Sequence, residues 1–370
     1  MSLRRHEQLL LRRAYPRSPT ELRRAEAALR KFRMRDTLLD PDDAGIAGTS
    51  VDMVFSCDLV RWLSSRFPRT LKIDWDDPPS EDRLAAVLTP AIPELQERIV
   101  DANVPYLEYA KKRTLEWYLE NIDPVAYDLL GLWVRWKFPA ETSRTRMRRK
   151  TRSIFYGDTI LERRDVSIVD ALAGPPMRVR KLSRQEGEEA LDLARAALAT
   201  RYRELYNFTY GDPATVISAD AGRGLEVVLF GLVPEKRLPI RAGYAPFFFR
   251  NGVPVGYGDA FALGDKMEVS FNIFPAFRAG ESAWCFTRLL KLYQQLFGSR
   301  VFLIDRYQIG LGNDEAIASG AFWFYRKMGF RPTDQKVERL ARREESHRRR
   351  SSAATLRELA LSAMIYVARS

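Results

Sequence analysis

The chain has 370 residues, of which 46% are hydrophobic, and a formal net charge of +12. No apolar run approaches the roughly 20 residues that span a bilayer, and two cysteines, Cys57 and Cys285, are too few for a disulfide framework. The two histidines, His6 and His347, lie in arginine-rich segments, which argues against a His-containing catalytic triad or a His-ligated metal centre. We therefore expect a cytoplasmic, two-domain protein without a metal, whose acid–base chemistry uses carboxylates, tyrosine, lysine or water.

Residues 1–150 are predicted to form a mainly helical, basic N-terminal domain. Apolar residues at helical spacing indicate helices over residues 1–35, interrupted by Pro16 and Pro19. Further helices are expected over residues 51–66, 81–88, 93–118, with a kink at Pro105, and 123–137. The last of these is apolar on most faces, which predicts burial. A linker is expected over residues 151–176, because Gly174-Pro175-Pro176 is the clearest chain boundary.

Residues 177–335 are predicted to form an α/β domain with a largely antiparallel sheet. Ser183, followed three residues later by Glu186, predicts a capping box at the start of a helix over residues 184–206. Asn251-Gly252 predicts a β-hairpin, since both residues tolerate positive φ. Residues 336–370 are predicted to be a basic and then apolar helical tail. Strands are expected over residues 177–182, 225–232, 238–249, 253–263 and 268–274, and a long loop over residues 207–224, with a short strand over residues 215–218.

The turn around Gly280 is the strongest candidate for a binding site. It follows the strand at residues 268–274 and opens a helix predicted over residues 281–297. A turn of this kind leaves several backbone N–H groups unpaired at the positive end of the helix dipole, which favours a phosphate or diphosphate. Arg278 adds a guanidinium suited to phosphate. An ordinary tight turn is the alternative interpretation.

A second helix, predicted over residues 314–328, carries the other candidate residues. A buried strand over residues 301–305 precedes it. Asn313 is the expected N-cap, and Gly329 is the expected residue after the helix end. Such a helix would present one face with residues at i, i+3, i+4 and i+7, namely Ala318, Ala321, Phe322 and Tyr325. This stripe is typical of a core face and also of a face that lies against a ligand.

This succession of elements resembles the GNAT superfamily of acyl-CoA-dependent N-acyltransferases. Members carry a late helix with the pattern Ala-x-x-x-Tyr and then a Gly-Phe step, matched here by Ala321-Phe322-Trp323-Phe324-Tyr325 and Gly329-Phe330. They also carry a diphosphate loop, Gln/Arg-x-x-Gly-x-Gly/Ala. In register with Gly280, Phe277 stands first, Ser282 stands sixth and Arg278 is displaced by one position. The resemblance covers residues 177–332 and implies a mixed α/β (α+β) fold, in which helices flank a largely antiparallel central sheet.

The resemblance implies transfer of an acyl group from acetyl-CoA or a longer acyl-CoA to an amine, without a covalent enzyme intermediate. Tyr325 would protonate the departing thiolate, and Glu268 would act as the base, with Asp305 in reserve. The backbone of Phe271, Asn272 and Ile273 would bind the thioester and the pantetheine. The other expected donor-site residues are Phe277, Arg278, Ala279, Gly280, Glu281, Ser282 and Ala283 in the turn, together with Asn313 and Phe322.

Three basic segments leave two other functions open. They cover residues 1–35, 144–152 and 339–350 and are typical of proteins that bind tRNA or another polyanion, although solvated helix faces give the same pattern. One alternative keeps the fold and uses aminoacyl-tRNA as the donor. The other makes the GNAT-like domain a non-catalytic scaffold that holds a partner. The sequence specifies neither the amine acceptor, nor the acyl chain length, nor the oligomeric state.

Overall fold

The computed structural model describes residues 3–34, 45–96, 104–347 and 350–368. The protein is mixed α/β, with an antiparallel-rich sheet flanked by helices and a helical N-terminal region, which confirms the predicted fold class. No helix in the described ranges is both long and apolar enough to cross a membrane. The chain divides into two compact units. Unit 1 comprises Met1–His6, Leu29–Met147 and Leu193–Thr209, and unit 2 comprises Glu7–Ala28, Arg148–Asp192 and Tyr210–Ser370.

Two helices open the chain, as the apolar spacing predicts. They are α1 (Leu3–Ala14) and α2 (Pro19–Lys31), with Pro16 between them. Most of both helices, residues 7–28, groups with unit 2. The division into units is therefore not a single cut at the predicted linker.

Unit 1 combines short helices with a small antiparallel sheet. Its helices are α3 (Cys57–Arg66), α4 (Glu81–Ala91), α5 (Pro93–Gln96), α6 (Tyr106–Lys111), α7 (Leu115–Asn121) and α8 (Pro124–Leu130). Its strands are β1 (Val51–Met53), β2 (Leu71–Ile73) and β3 (Val134–Trp136), with β3 in the centre. Arg135 of β3 links the three strands, because its guanidinium donates to Asp52 of β1 at 2.7 Å and to Asp74, directly after β2, at 2.6 Å.

The helix predicted over residues 51–66 is wrong in its first half. This segment forms β1 and then α3, because the side chain of Ser56 accepts the N–H of Leu59 at 3.2 Å and caps a helix that begins at Cys57. The helix predicted over residues 93–118 is also not continuous. It corresponds to α5, α6 and the start of α7, and residues 97–103 lie outside the described residues.

The buried helix predicted over residues 123–137 is wrong in extent and in burial. Helix α8 ends before Gly131, whose φ of 68° is the left-handed conformation that commonly follows a helix end. The chain then continues as β3. Val125 and Leu129 on α8 are each 68% exposed. Strand β3 buries Val134 and Trp136, the second of which the pattern assigned to the helix.

Unit 2 is built on an eleven-stranded sheet. Its strands are β4 (Arg178–Lys181), β5 (Gly211–Gly222), β6 (Leu225–Leu232), β7 (Ala242–Arg250), β8 (Val253–Tyr257), β9 (Ala260–Leu263), β10 (Lys266–Val269), β11 (Asn272–Ile273), β12 (Val301–Ile304), β13 (Arg331–Pro332) and β14 (Met364–Val367). The order is β13-β14-β12-β10-β9-β7-β6-β5-β4, and β8 pairs with β7 and β11. Among the described pairs, β10 and β12 run parallel and the others antiparallel.

The helices of unit 2 surround this sheet. They are α9 (Ile168–Ala173), α12 (Ser282–Phe297), α13 (Arg306–Ile309), α14 (Asp314–Ser319), α15 (Ala321–Lys327), α16 (Gln335–Ser346) and α17 (Ala353–Leu359); α10 (Arg184–Ala199) begins in this unit, and α11 (Tyr206–Thr209) belongs to unit 1. Helix α12 contributes Phe286, Leu289 and Tyr293 to the core, all without solvent exposure. It ends at Gly298 with φ 66°, as a left-handed C-terminal residue.

Two local predictions in unit 2 are confirmed. The Ser183 N–H donates to Glu186 Oε2 at 2.9 Å, and the Glu186 N–H donates to Ser183 Oγ at 3.2 Å, which is the predicted capping box. Asn251 and Gly252 have φ of 49° and 78° and join β7 to β8 as the predicted hairpin. Both features depend on residues close in the sequence.

Four longer-range predictions in unit 2 are wrong. Most of the loop predicted over residues 207–224 is the long strand β5, and the strand predicted over residues 268–274 is interrupted into β10 and β11. The helix predicted over residues 314–328 is two helices, α14 and α15, because Gly320 between them has φ 69°. The tail is α16 and α17 followed by β14, so its apolar end is a strand of the sheet and not a helix.

Candidate functional site

The sheet of unit 2 opens where the chain leaves β10. Strand β10 pairs with β12 over residues 266–268. The next strand, β11, pairs with β8 instead of β12. The Ser270 N–H donates to Asp259 O at 2.7 Å, and the Phe274 N–H donates to Val255 O at 3.0 Å, which draws the chain away from β12. A cavity of about 300 Å³ lies beside β11, between this strand, the start of α12 and the helices α13 to α15.

Half of the predicted site residues line this cavity. They are Phe271, Asn272, Ile273, Arg278, Ser282, Asn313 and Tyr325. Ala321, which the predicted helix face includes, also lines the cavity, and the lining residues that sequence reasoning missed are Gln308, Glu315, Ala316, Ser319 and Phe324. All of these follow β12 within the segment that forms α13 to α15. Their positions depend on the break at Gly320, which the apolar pattern does not reveal.

The turn before α12 is covered by Tyr15. A Cβ atom built on Gly280 would lie 2.7 Å from Tyr15 Cζ and Oη, so only glycine fits against this ring without a shift. The Glu281 N–H donates to Tyr15 Oη at 3.3 Å, the Gly280 N–H to Phe277 O at 2.8 Å and the Arg278 N–H to Pro275 O at 3.2 Å. Three amides expected to bind a diphosphate therefore already have acceptors in the protein.

The next amides along the chain remain available. The side chain of Glu281 does not cap α12, and the described residues provide no protein acceptor for the N–H groups of Ser282, Ala283 and Trp284. These are the first three positions of a 16-residue helix, where the helix dipole favours an anion. Ser282 lines the cavity. The amides that the protein leaves available are thus those of residues 282–284, at the end of the predicted range 277–283.

Glu281 holds the turn in place from inside the protein. It is 1% exposed, and its carboxylate accepts from Arg223 at 2.6 Å and lies 3.0 Å from Arg250 Nη1. The Arg250 guanidinium is 3% exposed and lies between the rings of Tyr15 and Phe155, at 4.8 and 5.2 Å from their centroids. Burial lowers the pKa of Arg250, against the opposing effect of the Glu281 carboxylate. Glu281 therefore faces this cluster and does not line the cavity.

A second ion pair lies at the mouth of the cavity. Arg278 Nη2 donates to Glu315 Oε1, and both side chains are about half exposed. Asn313 lies beside it, but its side chain is already engaged. Its Oδ1 accepts the N–H of Ala316 at 3.1 Å, which confirms the predicted N-cap, and its Nδ2 donates to Tyr307 O at 3.2 Å. Arg278 is thus the cationic side chain at this cavity, and a ligand would compete with Glu315 for it.

Tyr325 is the candidate acid. Its ring packs against Phe286 and Phe330, with centroids 5.5 and 6.0 Å apart, and it lines the cavity while being 3% exposed. Burial raises the pKa of its hydroxyl above the ordinary value, so the hydroxyl is protonated at neutral pH. Within the described residues no protein group hydrogen-bonds to that hydroxyl. A proton donor is therefore present where the strand residues meet α15.

The remaining predicted site residues lie outside the cavity lining. Glu268 is 39% exposed by side chain and pairs with Arg241 at 3.1 Å. Asp305 caps α13 by accepting the N–H of Tyr307 at 2.8 Å. The side chains of Phe277, Ala283 and Phe322 are buried in the core, whereas Ala279 is exposed and Gly280 lies under Tyr15. Glu268 as the base stays a prediction without a cavity contact to support it.

The predicted polyanion-binding segments carry ion pairs within each unit. In unit 2, Arg148 pairs with Glu26, and Arg149 pairs with Glu226 at 3.2 Å. Arg326, which is 4% exposed, binds Glu338 and Glu345 of α16. Part of the positive charge is therefore used inside the fold.

No group of three or more His, Cys, Asp or Glu residues in the described part of the chain is placed to hold a metal ion. Comparison of the chain with protein-family models, with curated proteins and with solved structures found no match. The resemblance to acyltransferases therefore stays an expectation drawn from the sequence.

Proposed function

We propose that unit 2 is an acyltransferase that moves an acyl group from an acyl-CoA thioester to an amine. The observation that supports this best is the cavity beside β11, which adjoins the uncapped N-terminus of α12 and has Tyr325 in its wall. The predicted strand, turn and helix contribute to this cavity together, although α14 and α15 are separate helices.

The donor would bind with its diphosphate at the start of α12. The N–H groups of Ser282, Ala283 and Trp284 would donate to the phosphate oxygens, and Arg278 would exchange its partner Glu315 for a phosphate. The pantetheine would run along Phe271, Asn272 and Ile273 towards Tyr325. In this placement the amides of Arg278, Gly280 and Glu281, which the sequence analysis assigned to the diphosphate, do not bind the donor.

In the proposed reaction the amine nitrogen attacks the thioester carbonyl. The C–N bond forms, the C–S bond breaks, and CoA leaves as a thiolate that takes its proton from Tyr325. The amine loses its own proton to water or, through water, to Glu268, and the Tyr325 phenolate regains a proton from water. Tyr325 suits the acid role because burial keeps it protonated at neutral pH.

The first experiment is a thermal-shift comparison with acetyl-CoA, longer acyl-CoAs, free CoA and tRNA. A ligand that binds only the native state raises the free energy of unfolding by about 2.7 kcal/mol when its concentration is 100 times its Kd. This stabilisation appears as a higher Tm. We expect the CoA compounds to raise Tm. An absence of any shift with all CoA compounds would overturn the proposed donor.

The second experiment tests the acid role of Tyr325. It requires an accepting amine, which is found by measuring the release of free CoA. Tyr325→Phe is expected to lower kcat by about 100-fold and to leave the Kd for acyl-CoA unchanged, because it removes a proton donor and keeps the ring. The control is Tyr307→Phe, since Tyr307 is 55% exposed and does not line the cavity. Full activity of Tyr325→Phe at all pH values would remove the acid role.

Aminoacyl-tRNA is the second candidate donor. It is favoured by the net charge of +12 and by the exposed Arg23 and Arg24 of α2. Binding of tRNA in the same thermal-shift comparison, with an affinity that falls steeply as salt rises, would select it, because each neutralised phosphate releases counterions. The scaffold function would be selected if neither acyl-CoA nor tRNA binds and the chain forms a stable stoichiometric complex with a partner protein.

A further inference from the structure

A second cavity lies at the opposite end of α12. Its volume is about 580 Å³, and Phe297, the last residue of α12, is in its wall. Ser282, the first residue of α12, lines the cavity described above. Fifteen helical steps separate these two residues, so the cavities are about 22 Å apart along the helix. The second cavity is therefore distinct from the proposed acyl-transfer site.

The walls of this second cavity are mainly apolar. Ile217 comes from β5, Leu229 and Leu232 from β6, and Tyr244 from β7, while Leu238 comes from the segment after β6. Gly231 lets Thr215 pack closely against β6, because a Cβ there would lie 2.9 Å from Thr215 Oγ1. Ile240, also in the lining, is 81% exposed. Together these residues offer an apolar surface that water reaches in the absence of a ligand.

The charge at this cavity has one sign. The charged residues in its lining are Arg237 and Arg241, and no aspartate or glutamate lines it. Arg241 donates to Glu268 at 3.1 Å and lies over the ring of Phe261 at 4.6 Å. Arg237 donates from Nε to Leu232 O at 3.1 Å, which fixes its guanidinium at the cavity. Its two terminal nitrogens have no acceptor among the described residues.

We propose that this second cavity binds a small amphipathic carboxylate. The apolar chain would lie on Leu229 and Phe297, and the carboxylate would accept two hydrogen bonds from the terminal nitrogens of Arg237. The cavity volume lies within the range of about 300–1,000 Å³ that small-molecule sites have. The proposal does not depend on acyl transfer, since it uses other residues at the far end of α12.

The test is calorimetric titration of the full chain with decanoate, decanol and decylammonium, each kept below the concentration at which it forms micelles. We expect decanoate to bind once per chain. Decanol and decylammonium should bind at least tenfold more weakly, because they cannot accept a bidentate pair of hydrogen bonds from the guanidinium. Equal binding of decanol and decanoate, or no saturable binding of decanoate, would overturn the proposal.

Two variants and a matched control locate the site. Arg237→Gln is expected to weaken decanoate binding at least tenfold, and Ala242→Trp, at an exposed lining position, is expected to block it. The control is Lys236→Gln, which removes the same charge from the neighbouring residue. Lys236 lies over the ring of Tyr210 and is not in the lining, so binding should stay within about twofold. Equal losses in Arg237→Gln and Lys236→Gln, or unchanged binding in Ala242→Trp, would show that decanoate binds elsewhere.

Discussion

Two ion pairs flank the turn that opens α12, and they differ in burial. In the pair of Arg278 with Glu315 the side chains are 46% and 50% exposed, whereas in the pair of Arg250 with Glu281 they are 3% and 1% exposed. An exposed pair contributes about 0–1 kcal/mol to stability, and removal of one partner of a buried pair costs about 3–5 kcal/mol. The turn is thus fixed on its inner side and can exchange partners on its outer side.

The largest expected effect comes from breaking the inner pair. Glu281→Gln keeps the shape of the side chain but leaves Arg250 buried beside Arg223 without a compensating charge. We expect the free energy of unfolding, measured with urea, to fall by about 3–5 kcal/mol. Glu315→Gln is the matched change in the outer pair, and it should cost under about 1 kcal/mol. Equal losses in the two variants would refute the contrast between the pairs.

A smaller effect is expected where Tyr15 covers the turn. Tyr15→Phe keeps the ring against Gly280 and removes the acceptor of the Glu281 N–H. Loss of this hydrogen bond should lower the free energy of unfolding by about 1 kcal/mol and should speed hydrogen exchange at the Glu281 amide. Tyr307→Phe, at an exposed position, is the control. An unchanged exchange rate at Glu281 would mean that Tyr15 does not hold this amide.

The outer pair can be tested through donor binding, if the proposed donor is correct. Glu315→Gln releases Arg278 from its partner, so the Kd for free CoA should fall by about twofold to fivefold at low salt. Arg278→Gln should raise the Kd. Calorimetric titration measures both, and weaker CoA binding in Glu315→Gln would show that Arg278 does not contact the donor.

A third, exposed pair extends the comparison to pH. Arg180 and Glu186 have side chains 50% and 42% exposed. The Ser183 N–H, and then Arg180, lower the pKa of Glu186 from about 4.5 to about 2. A lowered folded-state pKa gives stability that is present above about pH 4.5 and is lost as pH falls towards 2. Glu186 therefore contributes a pH-dependent part of the stability of α10.

Glu186→Gln should remove this contribution. We expect the urea midpoint of the wild-type protein to fall more steeply between pH 4.5 and pH 2.5 than that of the variant, because glutamine does not titrate in this range. Glu189→Gln on the same helix serves as the control, since Glu189 is exposed and accepts from Gln185 at 3.4 Å. If the urea midpoint falls equally steeply with pH in the wild-type protein and in Glu186→Gln, Glu186 does not make this pH-dependent contribution.

Features set by neighbouring residues could be predicted from the sequence. The capping box at Ser183, the hairpin at Asn251 and the N-cap at Asn313 were each recognisable within four residues of chain. Only residues 215–218 of strand β5 were predicted, because its pairing with β6 and β4 decides its structure and its own apolar pattern is weak. The break at Gly320 was missed because a single glycine is compatible with a helix or with its end.

In the candidate site, too, features set by neighbouring residues were predicted and features set by distant residues were not. The succession of strand, turn and helix pointed to Ser282 and Tyr325, which do line one cavity. The cover over the turn could not be predicted, because Tyr15 is 266 positions away from Glu281 in the chain. The burial of Glu281 could not be predicted either, because Arg223 and Arg250 reach its carboxylate from distant segments. The sequence therefore locates the cavity better than it identifies which amides are available.

The last strand of the sheet has a consequence for biosynthesis. Strand β14 lies between β12 and β13, and the Ala368 N–H donates to Arg300 O at 2.8 Å. About 60 residues separate β12 from this partner, so a ribosome that adds about 5–20 residues per second needs roughly 3–12 s to supply it. During that interval one edge of β12 has no neighbour and is open to pairing with another nascent chain. Slower translation after residue 304 should lengthen this interval and increase the demand for chaperones.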